Sequence, residues 1–191
     1  MSLWGASDTD ESKPKNLTTA EKKEVFASAK GWVREAGSRL SGNGNTSATP
    51  EVLVAIGGLA VKIGAADITE ITFVTTAFDK SAGGNIDVLV RFNEAVDVTG
   101  TPRVSITNGN QGSGSGRGPH LANYLSGTGT NELTFRCTIA AANAATNADD
   151  VLVIGTNATA LNGGTIKDAG TTTVSTITNA AGIGTAAGSI T

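Results

Sequence analysis

The stretch FNEAVDVTGTPRVSIT (residues 92–107) decides the fold. Apolar residues alternate into it at Ile86, Val88, Val90 and Phe92, the two-residue period of a strand with one buried face. An acidic turn with Gly100, Thr101 and Pro102 follows, and alternation resumes at Val104 and Ile106. Working outward, further strands are expected at residues 70–77, 86–93, 103–108, 121–126, 132–140 and 151–154. A shorter one at 159–161 precedes the turn Asn162-Gly163-Gly164. Short strands between turn signals, with no amphipathic helix among them, predict an antiparallel β-sandwich. Its expected core is Ile71, Phe73, Val88, Val90, Phe92, Val104, Ile106, Tyr124, Leu133, Phe135, Ile139, Leu152 and Ile154.

The composition suits such a fold. Of 191 residues 25 are glycine, aromatics make up only 4%, and charged residues 16%. Thr and Val fit strands, while Gly and Asn supply left-handed turn positions. A net charge of −3 gives no basic face for nucleic acid. The single cysteine excludes an intrachain disulfide, and Cys137 follows the inward parity of Leu133, Phe135 and Ile139, so it reads as a buried structural thiol. The start, MSLWGASDTDESKPK, lacks the apolar core of a secretory signal. No run approaches the ~18 consecutive apolar residues of a membrane span. Folding in a cytoplasm, without a membrane partner, is expected.

Ahead of the sandwich, Thr18-Thr19-Ala20-Glu21 has the form of a capping box, with Val25, Phe26, Ala29, Trp32 and Val33 beyond it. A short helix or turn near residues 19–27 and a small sheet pairing residues 32–35 with 52–56 are expected, joined by a Gly/Ser/Asn-rich connection at 40–50. Both tryptophans lie in this part of an aromatic-poor chain. A large aromatic can bury ~150–250 Å² and commonly anchors an interface. Trp4 is expected against another subunit, whereas Phe26 and Trp32 fit either an interface or a small core of their own. Residues 108–119 form a Gly/Ser loop projecting from the sandwich end. The Thr/Ala/Gly tail is sparse in apolar residues, with a last strand at 174–178 and an extended arm beyond it.

Candidate chemistry is thin. His120 is the only histidine and has no orienting carboxylate in sequence reach, so it reads as an ordinary loop residue. One His and one Cys cannot build a zinc site. Calcium needs only oxygen ligands, and Glu94, Asp97, Asp168 and Asp149-Asp150 lie near expected sandwich ends, but no EF-hand spacing exists. Gly112-Ser113-Gly114-Ser115-Gly116 lacks the strand before and helix after that a phosphate loop requires. No catalytic residue, metal or cofactor is assigned, and an enzyme is not expected.

Two resemblances cover most of the chain. Phe92, Glu94-Ala95-Val96, Val98 to Pro102, Ala122-Asn123-Tyr124, Ser126 to Thr130 with Leu133-Thr134-Phe135, and LNGGTIKD (residues 161–168) are similar to bacterial immunoglobulin-like repeats of large surface proteins. This implies an immunoglobulin-like sandwich that displays or joins surfaces and has no chemistry of its own. The pattern is left after Asp168, so a single copy is expected. Leu3-Trp4-Gly5, Asp8, Lys13-Pro14-Lys15, Leu17-Thr18, Glu21-Lys22, Val25-Phe26, Gly31-Trp32-Val33 and residues 51–56 (EVLVAI) resemble the start of virion structural proteins of tailed phages infecting marine cyanobacteria. That start is shared while the remainder varies, implying a docking module with exchangeable display domains.

Together the resemblances imply a non-enzymatic virion structural protein, a capsid decoration or cement protein on the outer surface of the capsid. Its partners would be the major capsid protein and neighbouring copies of itself. The expected organisation is a docking module (1–58), a linker (59–66), the immunoglobulin-like β-sandwich (67–178) and a C-terminal arm (179–191). Leu3, Trp4, Phe26, Trp32 and Val33 are the expected docking residues. One alternative is a neck, tail or fibre-associated virion protein. Another is a carbohydrate-binding or adhesive module using the 108–119 loop and Tyr124 against host-surface glycans.

Overall fold

The computed structural model describes residues 14, 17–37, 44–108, 118–143, 150–179, 181–187 and 189–190. The chain is mainly β. It opens with helix α1 (Thr19–Lys23), where the expected capping box forms: the Glu21 amide donates to Thr18 Oγ1 (3.3 Å) and the Thr18 amide to Glu21 Oε2 (2.8 Å). Three antiparallel strands follow, β1 (Val25–Ser28), β2 (Gly31–Arg34) and β3 (Glu51–Ala55), then a 3-10 turn at Leu59–Val61. The expected pairing of residues 32–35 with 52–56 is the β2–β3 ladder, which sets Trp32 opposite Val54. Val25, Ala27, Trp32, Leu59 and Ile63 close a small core over these strands.

The segment expected as a linker is packed. Leu59 and Ile63 enter the small core, and Ala66 enters the main one. Their apolar side chains find a lid position over β1 and β2 that a free connection would leave to solvent.

The larger unit contains β4 (Ile68–Phe73), β5 (Gly84–Thr99), β6 (Arg103–Asn108), β7 (His120–Ser126), β8 (Thr130–Ile139), β9 (Leu152–Ala160) and β10 (Thr165–Asp168). Helix α2 (Ala181–Ala186) and β11 (Ser189–Ile190) end it. Hydrogen-bonded neighbours run β11-β9-β6-β7-β8-β5, and β5 also pairs β4 and β10. These ladders are antiparallel. A parallel bridge, Ala27 opposite Glu94, joins β1 to β5 and makes the whole sheet mixed. The strands from β4 to β11 share one core that contains most of the residues expected from alternation, with Phe73 and Tyr124 at its margin. Cys137 also packs at that margin.

Three elements differ from expectation. β5 continues as a strand through Glu94 and Asp97, because EAVDVT keeps the strand period and β10 pairs with Val96 to Thr99. The segments expected at 151–154 and 159–161 are one strand, β9, with Asn157 at positive φ (50°) between them. The tail does not leave the chain: β11 pairs β9, and Ile190 (1% exposed) and Ala187 join the main core beside Ile183. Residues 174–178 contribute only isolated bridges, Val174 to Lys167 and Thr176 to Asp67.

The two diagnostic stretches meet. β10, from LNGGTIKD, lies against the end of β5, with Thr165 opposite Thr99 and Asp168 opposite Val96. Asn162 Nδ2 donates to the Thr101 carbonyl (3.0 Å). Gly164 is required by this contact, since a Cβ there would lie 2.3 Å from the Thr99 carbonyl oxygen.

Candidate functional site

The feature that sets this fold apart is the junction between the small module and β5. Arg91, Phe92, Asn93 and Glu94 are buried in succession. A strand covered on one face only would bury alternate residues. Here the main core takes one face and the small module covers the other.

Arg91 is the hub. Its Nε donates to Glu132 Oε1 (2.6 Å), Nη2 lies 3.3 Å from Glu35 Oε2, and Nη1 contacts Glu70. Glu70 and Glu132 come from flanking strands, opposite Arg91 in the β4 and β8 ladders. Glu35 comes from the small module, just after β2. Lys23 of α1 reaches Glu70 (3.4 Å), and Asn131 Nδ2 donates to Glu35 Oε1 (2.8 Å). Burial pushes the Glu35 carboxyl up to about 7; Arg91 pulls it down, but the Glu132 charge adds to the rise. Arg91 is also desolvated, yet Glu35, Glu132 and Glu70 raise its pKa above the usual arginine value.

Beside the hub runs a cleft of about 740 Å³. Phe26, Phe73, Val74 and Leu89 give it apolar walls, with Glu35 and Arg91 among its polar lining. The cleft is open to a partner side chain.

A second group lies on the same strand. Glu94 is fully buried and neither carboxylate oxygen has a hydrogen-bond partner. Asp168 is within side-chain hydrogen-bonding reach of it and is 1% exposed. Asp168 Oδ1 accepts from the amides of Gly170 (2.5 Å) and Thr171 (3.1 Å), while Oδ2 has no partner. Burial first, then the charges of Asp168 and Asp67, push the Glu94 carboxyl up to about 8.

Three of the expected docking residues are described, and the fold sets them side by side: Phe26 stands opposite Val33 in the β1–β2 ladder, next to Trp32. Leu3 and Trp4 lie outside the described residues. Trp32 (1% exposed) belongs to the small core and Val33 (3% exposed) is buried in β2, so neither presents a surface to a partner. Trp32 is covered by the small core it shares with Leu59 and Ile63. Of the three described, Phe26 is half-buried and lines the cleft, where it is reachable. Tyr124 is no open platform: its ring packs edge-on to Phe135 (centroids 6.0 Å apart) and its hydroxyl accepts from the Thr128 amide (2.9 Å). Most of the 108–119 loop is outside the described residues.

His120 is not an ordinary loop residue. It begins β7 and is 8% exposed beside Asn108 and Asp150. Burial lowers its pKa, and Asp150 partly offsets this. Asp97 is exposed in β5, and Asp149 is outside the described residues. Among the described residues no three His, Cys, Asp or Glu side chains gather as a metal-binding group. Also among them, no helix is long and apolar enough to cross a membrane.

Sequence reasoning missed Arg91 and its carboxylates. The available signal was charge at outward parity in the strand around Val90, facing Glu132 in the strand expected at 132–140. Comparison of the chain with family models, with curated proteins and with solved structures finds no match.

Proposed function

We propose that the chain is a virion structural protein of a tailed phage, a decoration or cement protein, whose larger unit is an immunoglobulin-like antiparallel β-sandwich displayed on the capsid. The observation that carries this reading is the division into two cores. Val25 and Trp32 of the smaller one, and Leu17, Leu53, Val54 and Ile56 packed against it, belong to the stretches that resemble a shared virion-docking start, and Glu35 clamps this part to the larger one through Arg91. Many copies on a shell would sum individually weak contacts through multivalency. The neck, tail or fibre location remains the second reading for the same fold.

Mass spectrometry of purified particles with copy counting tests both. Copy numbers in the hundreds support the shell, and a small ring number places the protein at the neck or tail. Trp4→Ala should abolish incorporation while leaving the circular dichroism and melting of the isolated protein unchanged. A folded Trp4→Ala protein that still co-purifies with particles refutes docking through the N-terminal residues.

A further inference from the structure

The aromatic residues of this chain are few, and the described fold accounts for all but one. Phe92 and Phe135 are fully buried in the main core, Phe73, Phe78 and Tyr124 pack against it, and Trp32 fills the small core. Phe26 belongs to neither core and lines the cleft of about 740 Å³ beside the Arg91 hub. Phe73, Leu89 and Val74, the last 55% exposed, line the same cleft. Trp4 remains. It lies in the uncharged run MSLWGAS (residues 1–7), ahead of the first described residue, Pro14.

We propose that the cleft receives Leu3 and Trp4 of a second copy of this chain. Its walls suit an indole: aromatic and aliphatic side chains meet the ring, and Glu132, whose side chain is 36% exposed, offers oxygen to the indole N–H. The volume lies within the ~300–1,000 Å³ of ordinary ligand pockets, room for the leucine and tryptophan side chains together. Gly5, Ala6 and Ser7 follow them and put no bulk at the mouth. The acidic residues Asp8, Asp10 and Glu11 come later, away from the Glu35 and Glu132 carboxylates in the lining.

The faces of the small sheet favour a neighbour's segment over the chain's own. Successive residues of a strand point to opposite faces. Val25 and Ala27 of β1 enter the small core, so Phe26 between them points away from it, into the cleft. Leu17 packs against the small core, and its amide donates to the Pro14 carbonyl (3.3 Å). The described chain therefore begins on the side of β1 opposite the cleft. From Trp4 to Pro14 is ten residues. Fully extended, that length spans ~33–36 Å, enough to cross to an adjacent copy. Knob and hole are different surfaces of each copy, so the joint is heterologous and propagates as a ring or chain. One indole buries only ~150–250 Å², against the ~1,200–2,000 Å² of a stable interface. Such a joint is weak singly and gains strength where copies are crowded, so its use rests on the virion reading.

Sedimentation equilibrium of the full chain from about 10 μM to about 1 mM covers joints of this strength. Average mass should rise with concentration in the wild type, and self-association should fall at least about tenfold in Trp4→Ala and in Phe26→Ala. Mixing those two variants should restore association, limited to pairs, because one keeps the hole and the other the knob. Where Phe26→Ala fails to fold, Val74→Glu on the exposed cleft wall takes its place. A wild type that stays monomeric, a Trp4→Ala protein that associates undiminished, or a mixture that does not pair overturns the assignment. So does a monomer whose Trp4 fluorescence shifts to the red in Val74→Glu, which puts the segment in its own cleft. Particle mass spectrometry tests the virion reading separately. Chains that associate in solution but are absent from particles refute that reading alone, and chains present in particles but monomeric in solution refute the joint alone.

Discussion

Glu35→Gln is predicted to stabilise the protein at alkaline pH and to do little at acid pH. In the fold the Glu35 carboxyl is held at about 7, against its usual 4.5, chiefly because it is buried beside another carboxylate, Glu132. Its side chain is 11% exposed, so solvent screening relieves little of that cost. The folded state keeps the proton up to about pH 7, while the unfolded chain releases it near pH 4.5. Within that window the folded state binds the extra proton, so this group's contribution to stability falls as pH rises, by about 1.4 kcal/mol per pH unit. From pH 5 to pH 8 the wild type should lose about 2–3 kcal/mol that the variant keeps. Glutamine matches the protonated acid in shape and can still accept from Asn131 Nδ2. Arg91 retains Glu70 and Glu132.

Urea unfolding of both proteins at pH 5 and pH 8, in EDTA, measures the gap. Other titrating groups, Glu94 included, are common to the two and cancel in the difference. The expected result is near equality at pH 5 and a variant more stable by about 2–3 kcal/mol at pH 8. Parallel pH profiles would refute the reasoning. A variant less stable at pH 8 would mean that the Glu35–Arg91 attraction outweighs burial.

Arg91→Met should cost about 3–5 kcal/mol at pH 8, because three carboxylates lose their common cation. The loss should shrink at pH 5, where Glu35 is protonated, and the same urea series reads both values. Ile190→Ala should cost about 2–5 kcal/mol in urea unfolding, as for a large-to-small change in a core. A loss below about 0.5 kcal/mol would mean that the tail contributes nothing to the fold.

Alternation was a reliable guide wherever one face meets solvent. β6 falls on the expected residues, and β7 and β8 differ only at their ends. It misled where charge and glycine interrupt a strand that nevertheless continues. Glu94 and Asp97 read as turn residues, yet β10 supplies backbone partners there and the chain stays extended. The C-terminal helix and β11 were illegible for a different reason. Ala, Gly and Thr carry almost no periodic signal, and Ile183 and Ile190 acquire meaning only once β9 offers an edge and the main core a gap. The junction was hidden because its parts are distant in sequence: Glu35, Glu70, Arg91 and Glu132 become one group only after β4, β5 and β8 are in register.

The run of buried residues from Arg91 to Glu94 also bears on how a docking module and a display unit could share one chain. If the two were joined only by a tether, β5 would bury alternate residues and the module could be cut away without consequence. Instead β5 places an ion hub and an acid pair within four residues, and the small module and β10 enclose them. Removing the whole module would uncover Arg91 and leave Glu70 and Glu132 without the packing that dehydrates them, so loss of incorporation after such a cut would report unfolding as readily as lost docking. Trp32→Ala carries the same ambiguity, because a buried Trp→Ala change costs about 3–5 kcal/mol and here it empties the small core. A discriminating variant must therefore lie outside both cores. Trp4→Ala serves as such a variant only where it melts like the wild type. Phe26→Ala provides the second case, since its ring borders the cleft and is not part of either core.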